Sequence, residues 1–147
     1  MMMASEKRKD ADLAIWTRRR VLAYCAEAGL DSRELVATVL HISVVTVSAW
    51  ARTPDTLAPA RVVACLEGYD AWCAAGLGEF VDMPNPTLLW FRGWMRRNGV
   101  TNLARFAAEI GCPRQRAFEW FSDGKTPPWL ALACMGLEAR RRNLARI

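Results

Sequence analysis

The stretches LVATVLHISVVTVSAW (residues 35–50) and RFAAEIGCPRQRAFEW (residues 105–120) carry the same spacing of apolar residues. Placing Trp50 over Trp120, an offset of 70, also brings Gly29 onto Gly99. After one gap, APARVVAC (58–65) aligns with PPWLALAC (127–134). Self-similarity at one offset is typical of a structural unit that is used twice. The sequence therefore predicts two similar units in one chain.

Apolar periodicity and turn residues predict helices throughout both units and no strand. In the first unit we expect helices at about 13–28, 31–40 and 43–52, and a fourth that begins at Pro59. Asp31 or Ser32 would cap the second of these, and Glu34 could complete a capping box with Asp31. In the second unit the expected helices span about 86–97, 101–110, 113–121 and 129–142, with Thr101 as a cap. The predicted fold class is all-α, with four to five short helices in each bundle.

The same signals suggest where the domains lie. We expect a flexible N-terminus at 1–12, a first domain at 13–67 and a second domain at 86–147. The glycine-dotted, acidic run between them, 68–85, is interpreted as the connecting segment, with room for a short helix.

The net charge of +5 is unevenly distributed between the two halves of the chain. Residues 1–85 hold 9 basic and 11 acidic side chains, a net charge of −2, whereas residues 86–147 hold 11 and 4, a net charge of +7. A basic half is suited to nucleic acid, although such blocks are also ordinary solvated faces. Charge alone therefore favours a nucleic-acid partner only weakly.

Several classes of protein do not fit the sequence. The basic N-terminus is not followed by an apolar run, and no stretch of 18 apolar residues occurs, so we expect neither a signal peptide nor a membrane span. The five cysteines form no CxxC pair and have only His41 as an imidazole partner, which argues against zinc. We expect buried, reduced cysteines, no metal or cofactor, and no enzymatic activity, since no phosphate-binding loop or Cys–His pair is apparent.

Two short helices joined by a tight turn need small and apolar residues at set positions. The second unit supplies them as Ala107, Gly111, Cys112, Ala117 and Trp120, and the first as Ala37, His41, Ile42, Val47 and Trp50. In these positions both stretches resemble the phage-repressor-like (Cro/C1, Xre-type) helix-turn-helix family. The resemblance covers about 55 residues in each half. It implies two tandem lambda-repressor-like bundles.

His41 departs from that family, in which glycine is usual at the turn. A non-glycine residue with positive φ carries strain, although histidine tolerates it better than most. We therefore interpret His41 as a turn residue and not as a catalytic or metal-binding one.

The residues that would read DNA follow by subtraction. If Ala117 and Trp120 point inward, the helix at 113–121 presents its other residues outward. Family resemblance places Arg114 and Gln115 at base edges in the major groove, where Arg pairs with guanine and Gln with adenine. Arg116 and Glu119 are secondary candidates.

Phosphate contacts should flank that helix. Asn102 and Arg105 begin the preceding helix, and Ser122 and Lys125 follow the reading helix. The run 140–142, three arginines, either extends the footprint or forms a charged tail.

The corresponding helix of the first unit carries no charge on its outward face, which comprises Val44, Val45, Thr46, Ser48 and Ala49. It could contact thymine methyl groups. Alternatively, it is a degenerate copy that packs on a protein partner, either the second domain or another subunit. We favour the partner, because this half is acidic and lacks phosphate-anchoring charges.

These patterns lead to one main hypothesis and one alternative. The main one is a cytoplasmic, nucleoid-associated transcription regulator, phage- or mobile-element-related, that binds double-stranded DNA as a homodimer on half-sites about 34 Å apart. Another regulatory protein or RNA polymerase is a further expected partner. The alternative is a helical interaction module, antitoxin-like, an adaptor or an inhibitor, that reuses the fold.

Overall fold

The computed structural model describes residues 15–76 and 86–145, and the predicted N-terminal segment 1–12 lies outside them. In these ranges the protein is all-α, as expected, and an isolated bridge between Thr17 and Leu57 is its only β pairing. Its eight helices are α1 (Arg18–Glu27), α2 (Arg33–Leu40), α3 (Val44–Arg52), α4 (Ala60–Ala75), α5 (Leu88–Arg97), α6 (Leu103–Ile110), α7 (Arg114–Asp123) and α8 (Leu130–Ala145).

Polar side chains begin the two short helices α2 and α6. The Ser32 hydroxyl accepts a hydrogen bond from the Leu35 amide, and the Asn102 side-chain oxygen accepts one from the Arg105 amide. Ser32, one of the two expected caps of α2, is therefore confirmed, whereas the expected cap Thr101 is wrong by one residue and the capping box built on Asp31 does not form. An N-cap oxygen accepts a hydrogen bond from the amide three residues further on, and the amides bonded here belong to Leu35 and Arg105.

The turns between α2 and α3 and between α6 and α7 are alike. His41 ends α2 with φ 52°, and Gly111 ends α6 with φ 72°. After each turn the next residue bonds back to the alanine inside the preceding helix, Ile42 to Ala37 and Cys112 to Ala107. The prediction that His41 adopts a glycine-like turn conformation is confirmed. The angle between α2 and α3 is 109°.

The helix after each turn carries a buried tryptophan. Trp50 and Trp120 are both buried, with Trp120 only 6% exposed, and the smaller Val47 and Ala117 are buried beside them. In the second half the ring of Trp120 contacts the edge of Phe91, with a centroid distance of 5.7 Å. The inward positions predicted for α3 and α7 are therefore confirmed.

Helices α4 and α8 make the most extensive helix–helix contact in the described part of the chain. At its centre a Cβ on Gly68 would overlap the carbonyl oxygen of Leu132, and a Cβ on Gly136 would overlap that of Ala64. Helix α4 continues to Ala75 and so includes the first eight residues of the run 68–85 that was interpreted as the connecting segment. Gly68 does not break the helix; it allows a second helix to approach the backbone. Residues 77–85 lie outside the described ranges.

Charged and aromatic side chains also join these two helices. The Arg61 guanidinium lies over the Trp129 ring near the start of each helix, and Arg140 pairs with Glu67 further along. Buried side chains from both halves belong to one continuous hydrophobic cluster. No single helix among those described is long and apolar enough to cross a membrane, and only the bent pair α2 and α3 together reaches that length and hydropathy.

Candidate nucleic-acid interface

Helix α7 has a buried side and a charged outer side. Ala117 and Trp120 point into the core, whereas all four predicted base-reading residues are exposed: Arg114, Gln115, Arg116 and Glu119. Ala117 and Trp120 are three positions apart, so they lie on the same face of α7 and leave the other faces to the polar side chains. The four predicted residues are therefore all accessible, and they are distributed around the part of α7 that Ala117 and Trp120 do not occupy.

The N-terminus of α7 is open to an anion. Its N-cap is Pro113, which makes no side-chain capping bond, and the first turn contains no acidic residue. In α3, by contrast, the Ser43 hydroxyl accepts a hydrogen bond from the Thr46 amide. Uncapped amides and the helix dipole favour negative charge at this end of α7, next to Arg114 and Arg116.

The outward side chains of α7 keep their hydrogen-bonding groups available. The Arg114 guanidinium lies 5.4 Å from the centre of the exposed Phe118 ring, a cation–π contact, and makes no hydrogen bond or ion pair to another described residue. Within the described ranges neither Gln115 nor Arg116 has a hydrogen bond or an ion pair through its side chain. This surface can therefore bind an external partner without first breaking internal bonds.

The predicted phosphate contacts are less uniform. Arg105 and Lys125 are exposed, on α6 and in the loop after α7 respectively. Asn102 is exposed, but its side-chain oxygen caps α6, which leaves its amide N–H groups as donors. Ser122 was expected to follow the helix, and this is wrong, because it lies in the last turn of α7. There its hydroxyl donates to the Phe118 carbonyl at 3.1 Å, so it is a weaker candidate.

The three arginines at 140–142 are each paired with a glutamate. Arg140 binds Glu67 on α4, Arg141 binds Glu109 on α6 at 3.3 Å, and Arg142 binds Glu138 at 2.9 Å. The hydrogen bond to Glu67 raises the pKa of Arg140 above its ordinary value, against the opposing effect of burial. These pairings favour a structural role for this run over an extended DNA footprint.

On α3 the outward face is apolar and open. Val44 and Val45 are 38% and 75% exposed, so the second domain does not cover them, and that part of the partner hypothesis is wrong. Thr46 bonds to the Ser43 hydroxyl, and Ser48 accepts a hydrogen bond from Arg33 at 2.9 Å.

Cations flank this face, which the analysis of the sequence missed. Arg33 at the start of α2 and Arg52 at the end of α3 are both exposed. The signal was present in the sequence, because each arginine lies within a turn of a predicted helix boundary. The net acidity of this half concealed it.

The surroundings of His41 fit a structural role for this residue. Burial, and then the charge of Arg61, lower its pKa from the ordinary value of 6.5. The Arg61 side chain donates to the carbonyl oxygens of Leu40 and His41 at 3.0 and 3.4 Å. Among the described residues no three His, Cys, Asp or Glu side chains are placed to hold a metal ion.

The cysteines are all free, and three of them are buried. Burial raises the pKa of Cys25 to about 11 and that of Cys65 to about 12, so both remain protonated thiols at neutral pH. Cys73 is exposed, and Cys112 is partly buried at the turn before α7.

The chain matches no protein-family model, no curated protein and no solved structure. The geometry of the two helix pairs and of the surface on α7 is therefore the basis for assigning a function.

Proposed function

We propose that this chain is a sequence-specific DNA-binding transcription regulator made of two tandem lambda-repressor-like helix-turn-helix units. In this proposal α7 enters the major groove. The observation that supports it best is the pairing of an exposed Arg114, Gln115 and Arg116 with the buried anchors Ala117 and Trp120 on one short helix.

The angle and the turn support the same interpretation. Helix-turn-helix motifs join two helices at about 90–120°, and α2 and α3 meet at 109°. The α6–α7 pair has the same left-handed turn residue and the same bond across the turn. A helix held in this way projects its first outward residues toward base edges.

The chemistry of the surface suits DNA. Arg114 and Arg116 can each donate two hydrogen bonds to guanine, and Gln115 can pair with adenine. Arg105 and Lys125 would contact phosphates on either side, together with the uncapped amides of α7. Such contacts release counterions, so affinity should fall steeply as salt rises.

A second candidate function is a protein-interaction module, and the exposure of Val45 favours it. An apolar side chain that is 75% exposed beside another exposed valine is a common feature of protein-binding surfaces. This alternative does not account for the basic surface of α7.

Three expectations stay predictions: the nucleoid location, the association with RNA polymerase and the pairing of two chains into a homodimer.

The decisive experiment measures duplex binding by the full chain across a salt series. We expect the double variant Arg114→Ala/Arg116→Ala to bind a selected duplex at least tenfold more weakly, since each bidentate contact is worth about 1–3 kcal/mol. Its sequence preference should relax, whereas its slope of log affinity against log salt should change little, because that slope counts phosphate contacts and both arginines are proposed to contact bases.

The matched control is Arg19→Ala/Arg142→Ala, which removes the same charge from two exposed arginines that already have acidic partners. It should bind nearly as the unchanged chain does. A full chain that binds no duplex from a randomised pool, or an α7 variant that binds as tightly as the control, would contradict the proposal.

A further inference from the structure

We infer that a single chain contacts both halves of a composite DNA site, with α7 on one half and α3 on an unlike second half. This inference rests on the proposed function and replaces the expected pairing of two chains with a pairing inside one chain.

The first step is the reciprocal contact between α4 and α8. Gly68 faces the backbone at Leu132, and Gly136 faces the backbone at Ala64, so the same contact is made twice with the partners exchanged. Gly136 lies 68 residues after Gly68, and Leu132 lies 68 residues after Ala64, one residue less than the offset of the repeat in these helices. Reciprocity of this kind marks an isologous contact, which two units make about a two-fold axis. The contact between α4 and α8 is therefore of the kind that two subunits of a symmetric dimer make.

The second step is that this approximate axis relates α3 to α7. Each follows a left-handed turn residue, and each is held by a buried tryptophan at the same place in its sequence. Helices α4 and α8 directly follow α3 and α7, so each reading helix leads into one member of the reciprocal contact. Two reading helices related by a two-fold axis are the arrangement that half-sites one helical turn apart require.

The third step is the chemistry of α3. Val44 and Val45 present methyl groups outward, and the C5 methyl of thymine is the apolar feature of the major groove. Arg33 and Arg52 lie exposed at the start of α2 and the end of α3, where they can hold phosphates on both sides of this helix. Methyl groups between two exposed cations therefore fit a thymine-rich half-site, with the cations at its phosphates.

These steps also define the kind of site. Since α3 and α7 present different side chains, the two half-sites must differ in sequence. The half under α7 should hold guanine and adenine in positions that Arg114 and Gln115 can reach, and the half under α3 should hold thymine. A palindrome would mismatch one of the two helices.

The test is site selection by the full chain from duplexes with 30 randomised base pairs, followed by native mass spectrometry of the selected complex. We expect two unlike sequence blocks with centres about 10 base pairs apart, bound by one chain. Arg114→Ala should weaken the preference in one block by about tenfold, and Val45→Asn should do so in the other block. The control Leu89→Asn changes another exposed apolar residue, on α5, and should alter neither block.

Two results would overturn the inference while leaving the proposed function in place. One is a palindromic site bound by two chains. The other is a site whose preferences change with Arg114→Ala but not with Val45→Asn. Failure to select any duplex would overturn both, and this outcome is distinguishable because the salt series on the full chain would then show no binding either.

Discussion

His41 is the one residue with positive φ outside glycine in the described part of the chain. Its counterpart in the second half is Gly111, which adopts nearly the same conformation without a side-chain penalty. For a residue with a Cβ, this conformation costs roughly 1–2 kcal/mol. His41 is retained in a half-buried position beside Arg61, where its ring adds packing but not charge.

Substitutions of His41 should therefore distinguish two effects on stability, the backbone strain at this residue and the protonation of its ring. We expect His41→Gly to raise the free energy of unfolding by up to about 1 kcal/mol at pH 7.5, after the entropy that glycine adds to the unfolded chain is deducted. Because the folded pKa lies below 6.5, the neutral ring contributes stability above that pH, and this contribution is lost as the pH falls.

Urea unfolding at pH 7.5 and 5.0 provides the measurement. The loss of stability between the two pH values should be smaller in His41→Gly and also in His41→Asn, which accepts the same backbone conformation. A lower stability of the glycine variant at both pH values would show that the ring contributes more by packing than it costs in strain.

For single residues, the sequence predicted those conformations and exposures that depend on neighbouring residues in the chain. The left-handed turn at His41 followed from alignment with a glycine, and the exposure of Arg114 and Gln115 followed from helical spacing against Trp120. The bond from Arg61 to the His41 carbonyl could not be predicted, because it depends on how α4 packs twenty residues away. The pairing of Arg33 with Ser48 was missed for the same reason.

Among the helices, α4 and α8 depend most on single residues. Alanine at Gly68 or Gly136 would place a methyl group on a backbone carbonyl of the opposite helix, where no rotamer change relieves the overlap. We expect Gly68→Ala and Gly136→Ala each to lower the free energy of unfolding by about 3 kcal/mol or more.

The control is Gly93→Ala in α5, where the nearest obstacle is the flexible end of the Arg97 side chain at 3.3 Å. It should be neutral or stabilising by up to about 1 kcal/mol, because alanine is the better helix former. Thermal melting followed by circular dichroism distinguishes the variants. Similar melting temperatures for all three would show that α4 and α8 can move apart at little cost.

The sequence predicted most helix boundaries in the described ranges to within one or two residues, but not the length of α4. Gly68 in the sequence looks like a break, because glycine lowers helix propensity. Its use as a point of close approach depends on α8, which lies more than sixty residues further along the chain. Contacts between distant helices are the part of this fold that local patterns do not encode.

The described part of the molecule, residues 15–76 and 86–145, has one core, since buried residues of α1–α4 and α5–α8 form a continuous cluster. We therefore expect urea to unfold the chain in a single transition, with circular dichroism and tryptophan fluorescence giving the same midpoint. The halves share the α4–α8 contact, so neither should stay folded when the other unfolds. Two separated transitions would indicate that the halves are independently stable, against the packing of Gly68 on Gly136.

In the proposed mode of DNA binding, joining the two halves through α4 and α8 affects how the occupancy of the DNA site depends on the concentration of the protein. Separate subunits must first find each other, so their joint action fades disproportionately when protein is scarce. Here the second half is always present at the high local concentration that a covalent tether provides. Binding by this chain should accordingly follow a simple hyperbola, with no threshold set by assembly, down to a few copies per cell.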